Sequence, residues 1–170
     1  AAEGTLTGLG TESNPYIIKT ENDFKSIQDG IKGGKSYKNK YFRLESDIKL
    51  SSSWEPLGTL KERADKPGNG TNILPFSGNI DGNGHTLTFA KGSKPLFGYV
   101  RDAKVSNLNI FGTYIDGYGL VENYVVDYGK DGKNWTDDDP KAVITAEKVT
   151  IKSGTRIHQS GFLGGYASGI

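Results

Sequence analysis

The chain has 170 residues, about the length of one ordinary domain. It carries 21 basic and 20 acidic side chains. They give a formal net charge of +1 without a basic block, so no nucleic-acid partner is expected. No apolar run approaches the roughly 20 residues that cross a bilayer, so no membrane insertion is expected either. Cysteine is absent, which excludes a disulfide framework, a thiol nucleophile and a cysteine metal site.

Low hydrophobicity and abundant glycine favour strands and turns over helices. Hydrophobic residues make up 34% of the chain. An average domain has roughly 45–50% when glycine is counted among them. Glycine occurs 24 times and proline 6 times, and glycine weakens the interior of a helix. We therefore expect many short strands joined by tight turns.

One segment near the N-terminus has the pattern of an amphipathic helix. Thr20 is a candidate N-cap residue with acidic residues directly after it. Phe24, Ile27 and Ile31 recur at helical spacing, and two glycines follow. The sequence therefore predicts one helix over residues 20–33.

Elsewhere the chain alternates apolar and polar residues in short runs separated by turn signals. The predicted strands fall at 16–18, 41–44, 47–50, 76–80, 85–89, 96–100, 105–110, 143–145 and 149–151. The run 119–124 partly echoes 96–100, and Phe76 and Phe97 mark repeats near the short end of the range for stacked repeats. Two polar stretches, 61–72 and 127–140, are predicted to be exposed loops.

In the same order, these segments resemble the bacterial GLUG-motif surface proteins. Residues 10–18, Gly-Thr-Glu-Ser-Asn-Pro-Tyr-Ile-Ile, resemble the opening segment of that family, and 41–50 its next element. Residues 76–87, which contain Asp-Gly-Asn-Gly, resemble its first coil. Residues 96–100 and 162–167 resemble its repeated coils.

This resemblance implies an all-β fold, a right-handed parallel β-helix, with the helix at 20–33 capping its N-terminal end. We therefore expect residues 1–170 to form a single β-helix domain or a fragment of one, with 127–140 as an inserted acidic loop. The resemblance also implies a secreted protein of the bacterial cell surface, associated with the cell wall. Similar regions occur in adhesin-like proteins and upstream of the catalytic domain in the zinc metallopeptidases that cleave immunoglobulin A.

The acidic loop at 127–140 partly fits a calcium-binding pattern. Asp127, Asp131 and Asp138 fall at positions 1, 5 and 12 of an EF-hand-like loop. The glycine at position 3 offers no ligand, and no flanking helices are expected. The sequence therefore favours a solvated acidic loop, and calcium is the one cofactor that it suggests.

Tryptophan side chains can stack on sugar rings, although they are also ordinary packing units. Of the two, Trp54 and Trp135, the second lies in the polar loop and is the better candidate for binding a ligand.

No catalytic residue is predicted, and we expect the chain not to be an enzyme. His85 and His158 lack the spacing of zinc ligands, and no Gly-x-Ser-x-Gly motif supports a nucleophilic serine. A pair of carboxylates is the serious enzymatic alternative, because glycosidases hold two of them roughly 5–10 Å apart. The candidates by residue type are Asp47, Asp81, Asp116 and Glu122. We expect Asp81 to shape its turn through an Asx hydrogen bond, and His85 to serve the turn or the packing.

The expected function is a non-catalytic structural or adhesive module that displays the loops 61–72 and 127–140 to a host glycan or an extracellular protein. The alternatives are a polysaccharide-active β-helix enzyme, either a lyase or a glycoside hydrolase, and a non-catalytic region of a secreted zinc metallopeptidase. Residues 161–170 look like the start of a coil. We therefore expect the remainder of a longer β-helix, or another partner, to cover that end.

Overall fold

A computed structural model describes residues 6–62, 71–124 and 144–159, and this part of the chain is mostly β with one helix. The elements in chain order are β1 (Tyr16–Ile18), α1 (Glu21–Lys32), β2 (Tyr41–Leu44), β3 (Ile48–Leu50), β4 (Thr59–Glu62), β5 (Thr71–Leu74), β6 (Asn79–Asp81), β7 (Thr86–Phe89), β8 (Phe97–Val100), β9 (Ala103–Gly112), β10 (Val121–Tyr124) and β11 (Ile144–Ile151). The strands predicted within these ranges are found with their ends moved by a few residues, except that the two predicted at 143–145 and 149–151 belong to one strand, β11.

The predicted helix is confirmed, with Thr20 and Gly33 as its capping residues. Thr20 Oγ1 accepts a hydrogen bond from the Asp23 amide at 3.3 Å. The Asp23 carboxylate accepts one from the Thr20 amide at 3.1 Å. This reciprocal capping box satisfies two of the amides that a helix leaves without partners at its start. At the other end Gly34 has a φ of +101°, where glycine alone is unstrained.

The helix is fixed to the chain between β3 and β4. Its apolar face is fully buried, and the Phe24 ring meets Trp54 edge-on with the ring centroids 5.6 Å apart. The Gln28 side chain is also buried, and its Oε1 accepts a hydrogen bond from the Gly58 amide at 3.1 Å. Glu21 accepts two more from Ser51, at 3.0 and 2.7 Å. Burial of the apolar stripe and these polar contacts together hold α1 against residues 51–58.

Two sets of parallel strands, joined in one sheet, form most of the described β-structure. In the first set, β1, β2, β6 and the first halves of β9 and β11 lie side by side. In the second set, β3, β7 and the second halves of β9 and β11 do the same. The register places Phe42, Ile80, Val105 and Ala146 in one row, and Ile48, Leu87, Ile110 and Ile151 in another.

β9 and β11 belong to both sets because each strand bends at one residue in the left-handed region. Those residues are Asn107, with a φ of 52°, and Lys148, with a φ of 53°. Asn83, with a φ of 52°, occupies the turn between β6 and β7. Asparagine tolerates this conformation better than most non-glycine residues. The chain therefore changes direction at similar places each time it passes through the two strand sets. We call each such pass a layer.

A third set of parallel contacts joins β8 to β10. Val121 pairs with Phe97, and Leu57 forms a further bridge to Phe97. The predicted echo between 96–100 and 119–124 is thus confirmed. The prediction that Phe76 and Phe97 occupy equivalent positions in two repeats is wrong, because Phe76 pairs with Val100. The two rings instead stack on one another inside, with their centroids 5.5 Å apart.

A hairpin replaces part of the first predicted loop. β4 and β5 pair antiparallel, with Glu62 beside Thr71. The prediction of a loop over 61–72 is therefore wrong at both ends, because backbone pairing extends into the polar residues. Residues 63–70 lie outside the described residues, as does the acidic loop 127–140.

Candidate functional site

The residues predicted to bind calcium, Asp127, Asp131 and Asp138, lie outside the described residues, and so does Trp135. Within the described ranges, no group of three or more histidine, cysteine, aspartate or glutamate side chains is arranged to hold a metal ion. Trp54 is a core residue, since it is 3% exposed and its Nε1 donates to the Pro95 carbonyl at 3.0 Å.

Asp81 shapes a turn, as predicted. Its Oδ1 accepts a hydrogen bond from the Asn83 amide at 2.8 Å, which is the Asx hydrogen bond. The Asn107 side chain donates to the same oxygen at 3.3 Å. Asp81 therefore links two adjacent turns, which is a structural role.

Asp47 and His85 meet at another turn. Asp47 Oδ1 accepts a hydrogen bond from the Thr86 amide at 2.8 Å, and His85 Nδ1 lies 3.2 Å from the same oxygen. The Thr86 hydrogen bond, and after it the His85 contact, lowers the pKa of Asp47 below its usual 3.8. The turn role expected of His85 fits this contact.

The structure brings together a column of charged groups that the sequence did not reveal. Ser93, Ile115 and Ile157 are parallel partners, so the residues after them, Lys94, Asp116 and His158, follow one another across three layers. Lys94 Nζ lies 2.8 Å from Asp116 Oδ2. This contact lowers the pKa of Asp116 and raises the pKa of Lys94.

Two further side chains complete what we call the ionic cluster: Lys94, Tyr114, Asp116, Glu122 and His158. The Tyr114 hydroxyl is hydrogen-bonded to His158 Nδ1. The Glu122 charge helps to raise the pKa of Lys94, and Glu122 Oε1 accepts a hydrogen bond from the Tyr118 amide at 3.2 Å. Of the four candidate carboxylates, Asp116 thus pairs with Lys94, and the Glu122 charge acts on the same lysine.

This arrangement has limited catalytic capacity. A glycosidase needs one carboxyl group with a raised pKa as its general acid. The pKa values of Asp47 and Asp116 are both lowered, so neither suits that role. Asp116 is also neutralised by Lys94 at 2.8 Å, as a structural ion pair would be.

A shallow groove of about 190 Å³ lies on the outer face of the first strand set. Because side chains alternate along a strand, the neighbours of buried Phe42, Ile80 and Val105 point away from the interior. These neighbours form two cross-strand rows, the first of Tyr41, Asn79 and Lys104, the second of Arg43, Asp81 and Ser106. Together with Glu12 they line the groove. We call it the outer groove.

The outer groove combines polar and apolar lining groups, and its aromatic lining residues are Tyr41 and Phe42. Arg43 is held in place by two hydrogen bonds to Glu45 Oε1, at 3.0 and 2.7 Å. The other cation of the groove, Lys104, lies with its Nζ 3.6 Å from Glu147 Oε2. Because both cations have carboxylate partners, the groove has no preference for a polyanion, and its hydroxyl and amide groups beside an aromatic ring suit a ligand rich in hydroxyl groups. Tyr41, Asn79 and Lys104 could not be identified from the sequence, because their proximity depends on register.

The described residues form two further surfaces. A second groove, of about 300 Å³, is lined by Asp47, Ile48, Lys49, Thr86, Thr88, Phe111 and Lys152. On the hairpin, the register partners Leu60 and Ile73 are 42% and 43% exposed, so they form a small apolar patch.

In the part of the chain that the structure describes, no helix has the length and apolar character needed to cross a membrane.

Comparison with known proteins gives one distant likeness to report. No protein-family model matches the chain, and no solved structure matches it. The chain is 28% identical over 150 residues to a protein of Evansella cellulosilytica that is described as a candidate Gly-rich membrane protein. The match covers 72% of this chain and 15% of that protein, so the chain spans a small part of its relative's length.

Proposed function

We propose that the chain is a non-catalytic structural and adhesive module of a secreted bacterial cell-surface protein. Its proposed architecture is a right-handed parallel β-helix whose N-terminal end is capped by α1. The observation that carries the proposal is the repeated parallel register, in which three sets of strand contacts recur from layer to layer around one buried interior. Parallel strands joined by crossover connections are right-handed in about 98% of cases.

The adhesive part of the proposal rests on the outer groove and the hairpin. The outer groove offers Tyr41 for stacking on a sugar ring, with Asn79 and Ser106 beside it for hydrogen bonds. We propose a neutral or weakly charged glycan as its ligand, because both cations of the groove have carboxylate partners. The exposed apolar patch of Leu60 and Ile73 is a second proposed contact surface, for an extracellular protein.

Two observations support the proposed cell-surface location. The relative in Evansella cellulosilytica is described as a candidate Gly-rich membrane protein, which agrees with a place in the cell envelope. The chain also lacks cysteine, as large secreted proteins of Gram-positive bacteria often do.

A polysaccharide-active enzyme is the second candidate, and the ionic cluster is where its residues would lie, with Asp116 as a base or nucleophile because its lowered pKa does not suit a general acid. Asp116 pairs with Lys94, the Glu122 charge acts on the same lysine, and Tyr114 is hydrogen-bonded to His158. A polysaccharide lyase or glycosidase at this site would lose activity in the double variant Asp116→Asn and Glu122→Gln.

A binding screen tests the proposal. The purified chain is applied to arrays of glycans and extracellular proteins, with calcium and with a chelator. We expect a glycan ligand, and Tyr41→Ala should weaken its binding at least tenfold. Lys49→Ala, in the second groove, should leave the affinity unchanged and serves as the matched control. Calcium-dependent binding would support a metal site at Asp127, Asp131 and Asp138.

Two results together would contradict the proposed adhesive function. If no array component binds, and a polysaccharide is turned over by the chain but not by the Asp116→Asn, Glu122→Gln variant, the enzymatic alternative replaces the adhesive one.

A further inference from the structure

The second groove lies on the outer face of the second strand set, as the outer groove lies on that of the first. Side chains alternate along a strand, so the neighbours of the buried residues of β3, β7 and β9 point outward here. Lys49, Thr88 and Phe111 are register partners and form a row across these three strands. The row runs along the groove.

Lys152 extends this row by one strand. It follows Ile151, the register partner of Ile110, and its amide donates to the Ile110 carbonyl at 2.8 Å. The row therefore begins and ends with a lysine. The two lysines are three strand spacings apart, which is roughly 14 Å between their Cα atoms. A ligand that contacts both ammonium groups must extend across the strands.

The lysines of the second groove differ from the cations of the outer groove in their partners. Both cations of the outer groove lie next to a glutamate. Lys49 and Lys152 are exposed, and no carboxylate among the described residues lies within ion-pair distance of either one. Both ammonium groups can therefore bind an external anion.

Asp47 supplies the negative charge among the lining residues, and it already has partners. Its carboxylate accepts the Thr86 amide at 2.8 Å and lies 3.2 Å from His85 Nδ1. The Thr86 hydrogen bond, then His85 and last the charge of Lys152 lower the pKa of Asp47. Two lysines against one aspartate leave the lining with one positive charge when His85 is neutral.

Phe111 gives the groove an aromatic surface. It is half-buried on the outer face, and Gly154 lies next to its ring, where an added Cβ would be 3.5 Å from Phe111 Cε2. Because glycine has no side chain, it leaves this part of the ring uncovered. The hydroxyl groups of Thr86 and Thr88 line the same groove and can both donate and accept hydrogen bonds. An aromatic ring beside hydroxyl groups suits a sugar ring.

From this juxtaposition we propose that the second groove binds an acidic polysaccharide, which stacks a sugar ring on Phe111 and places anionic groups at Lys49 and Lys152. An ammonium group is a point charge that binds a carboxylate or a sulfate, so an anionic sugar chain is the shared chemistry. This site is separate from the outer groove and needs no ligand there.

Calorimetric titration at low salt tests the charge requirement. The probes are oligogalacturonate, a sulfated heparin oligosaccharide and fully methyl-esterified oligogalacturonate, which keeps the sugars but not their charge. We expect at least one anionic probe to bind tenfold or more tightly than the ester, and the stronger of the two identifies the anionic group. Equal affinity for the acid and the ester would overturn the proposal, as would no binding of either anionic probe.

Four variants test the location of the site. Lys152→Gln and Phe111→Leu should each weaken binding of the anionic probe at least threefold. Asp47→Asn removes the opposing charge and should strengthen it at least twofold, a gain that a damaged fold would not give. Lys38→Gln removes the same charge from an exposed lysine outside both grooves and should change nothing. Equal losses for Lys152→Gln and Lys38→Gln would assign binding to net charge and overturn the site.

The two grooves are distinguished by their ligands. Lys49→Ala should weaken binding of the acidic probe and leave the neutral glycan bound at the outer groove, where Tyr41 is required. Loss of one affinity without the other shows which proposal has failed.

Discussion

Asp47 illustrates how charged side chains in this molecule serve the backbone. It accepts the Thr86 amide at 2.8 Å, so its ionised form is favoured in the folded state and its pKa is lowered. A carboxylate with a lowered folded pKa contributes stability that is present above its unfolded pKa. That stability is lost as the pH falls through the folded value.

Substitution of Asp47 should therefore change how the free energy of unfolding depends on pH in the acid range. Asp47→Asn keeps an acceptor for the Thr86 amide but does not titrate. As the pH falls from the usual aspartate pKa of 3.8 through the lowered folded pKa of Asp47, we expect the variant to lose less of its free energy of unfolding than the natural chain does. Urea denaturation at several pH values measures this difference. If both proteins lost the same free energy of unfolding at acid pH, the role given to Asp47 would be contradicted.

Gly82 is required by a close approach of the backbone. A Cβ atom at this position would lie 2.5 Å from the Asn107 carbonyl oxygen and 2.7 Å from the Leu108 Cα. The two layers would have to separate to admit it.

Gly82→Ala should thus cost about 1–3 kcal/mol in the free energy of unfolding, as overpacking usually does. Gly84→Ala is the comparison, because Gly84 has a φ of +77° but nothing within 4 Å of an added Cβ. It should cost about 1–2 kcal/mol, from the backbone conformation alone. Denaturant unfolding of both variants is the measurement, and a neutral Gly82→Ala would contradict the layer spacing described above.

At the scale of the element, local signals were enough to predict the helix and most of the strands, but not the hairpin strands β4 and β5, whose polar residues resemble a loop. Thr20, the apolar stripe and the closing glycines determine α1 within one short segment. The alternation in residues such as 41–44 likewise predicts a strand without knowledge of its neighbours.

Pairing was harder to predict, because it depends on how much chain lies between partners. Phe76 and Phe97 look like equivalent repeats in sequence, yet Phe76 pairs with Val100. For the same reason the ionic cluster and the outer groove were missed. Lys94, Asp116 and His158 are distant in sequence and form a column only once the register is known.

The capping box of α1 gives a prediction at this scale. Thr20→Ala removes the acceptor for the Asp23 amide and should lower the free energy of unfolding by about 0.5–2 kcal/mol. Thr20→Ser keeps the hydroxyl and should stay near the natural value. Thermal or urea unfolding of the two variants checks this, and equal losses would show that the hydroxyl does not cap the helix.

For the whole molecule, the stability of the frame depends on one continuous apolar interior. Phe76 is fully buried, and its ring lies 6.0 Å from the Phe42 ring centroid and 5.5 Å from that of Phe97. It therefore connects side chains from three different layers.

Phe76→Ala should lower the free energy of unfolding by about 3–5 kcal/mol, because it leaves a cavity between these layers. Leu60→Ala removes an exposed apolar side chain and should change it by less than about 0.5 kcal/mol. Denaturation curves of both variants measure these changes in the free energy of unfolding. A small loss for Phe76→Ala would mean that the layers do not share an interior.

A crystal structure of this chain would test the parallel register directly. We expect Phe42, Ile80, Val105 and Ala146 to lie in one row on parallel strands, with neighbouring strands about 4.8 Å apart. Ile48, Leu87, Ile110 and Ile151 should form the companion row. A two-sheet antiparallel sandwich or a closed barrel, with Phe76 and Phe97 in separate environments, would contradict it.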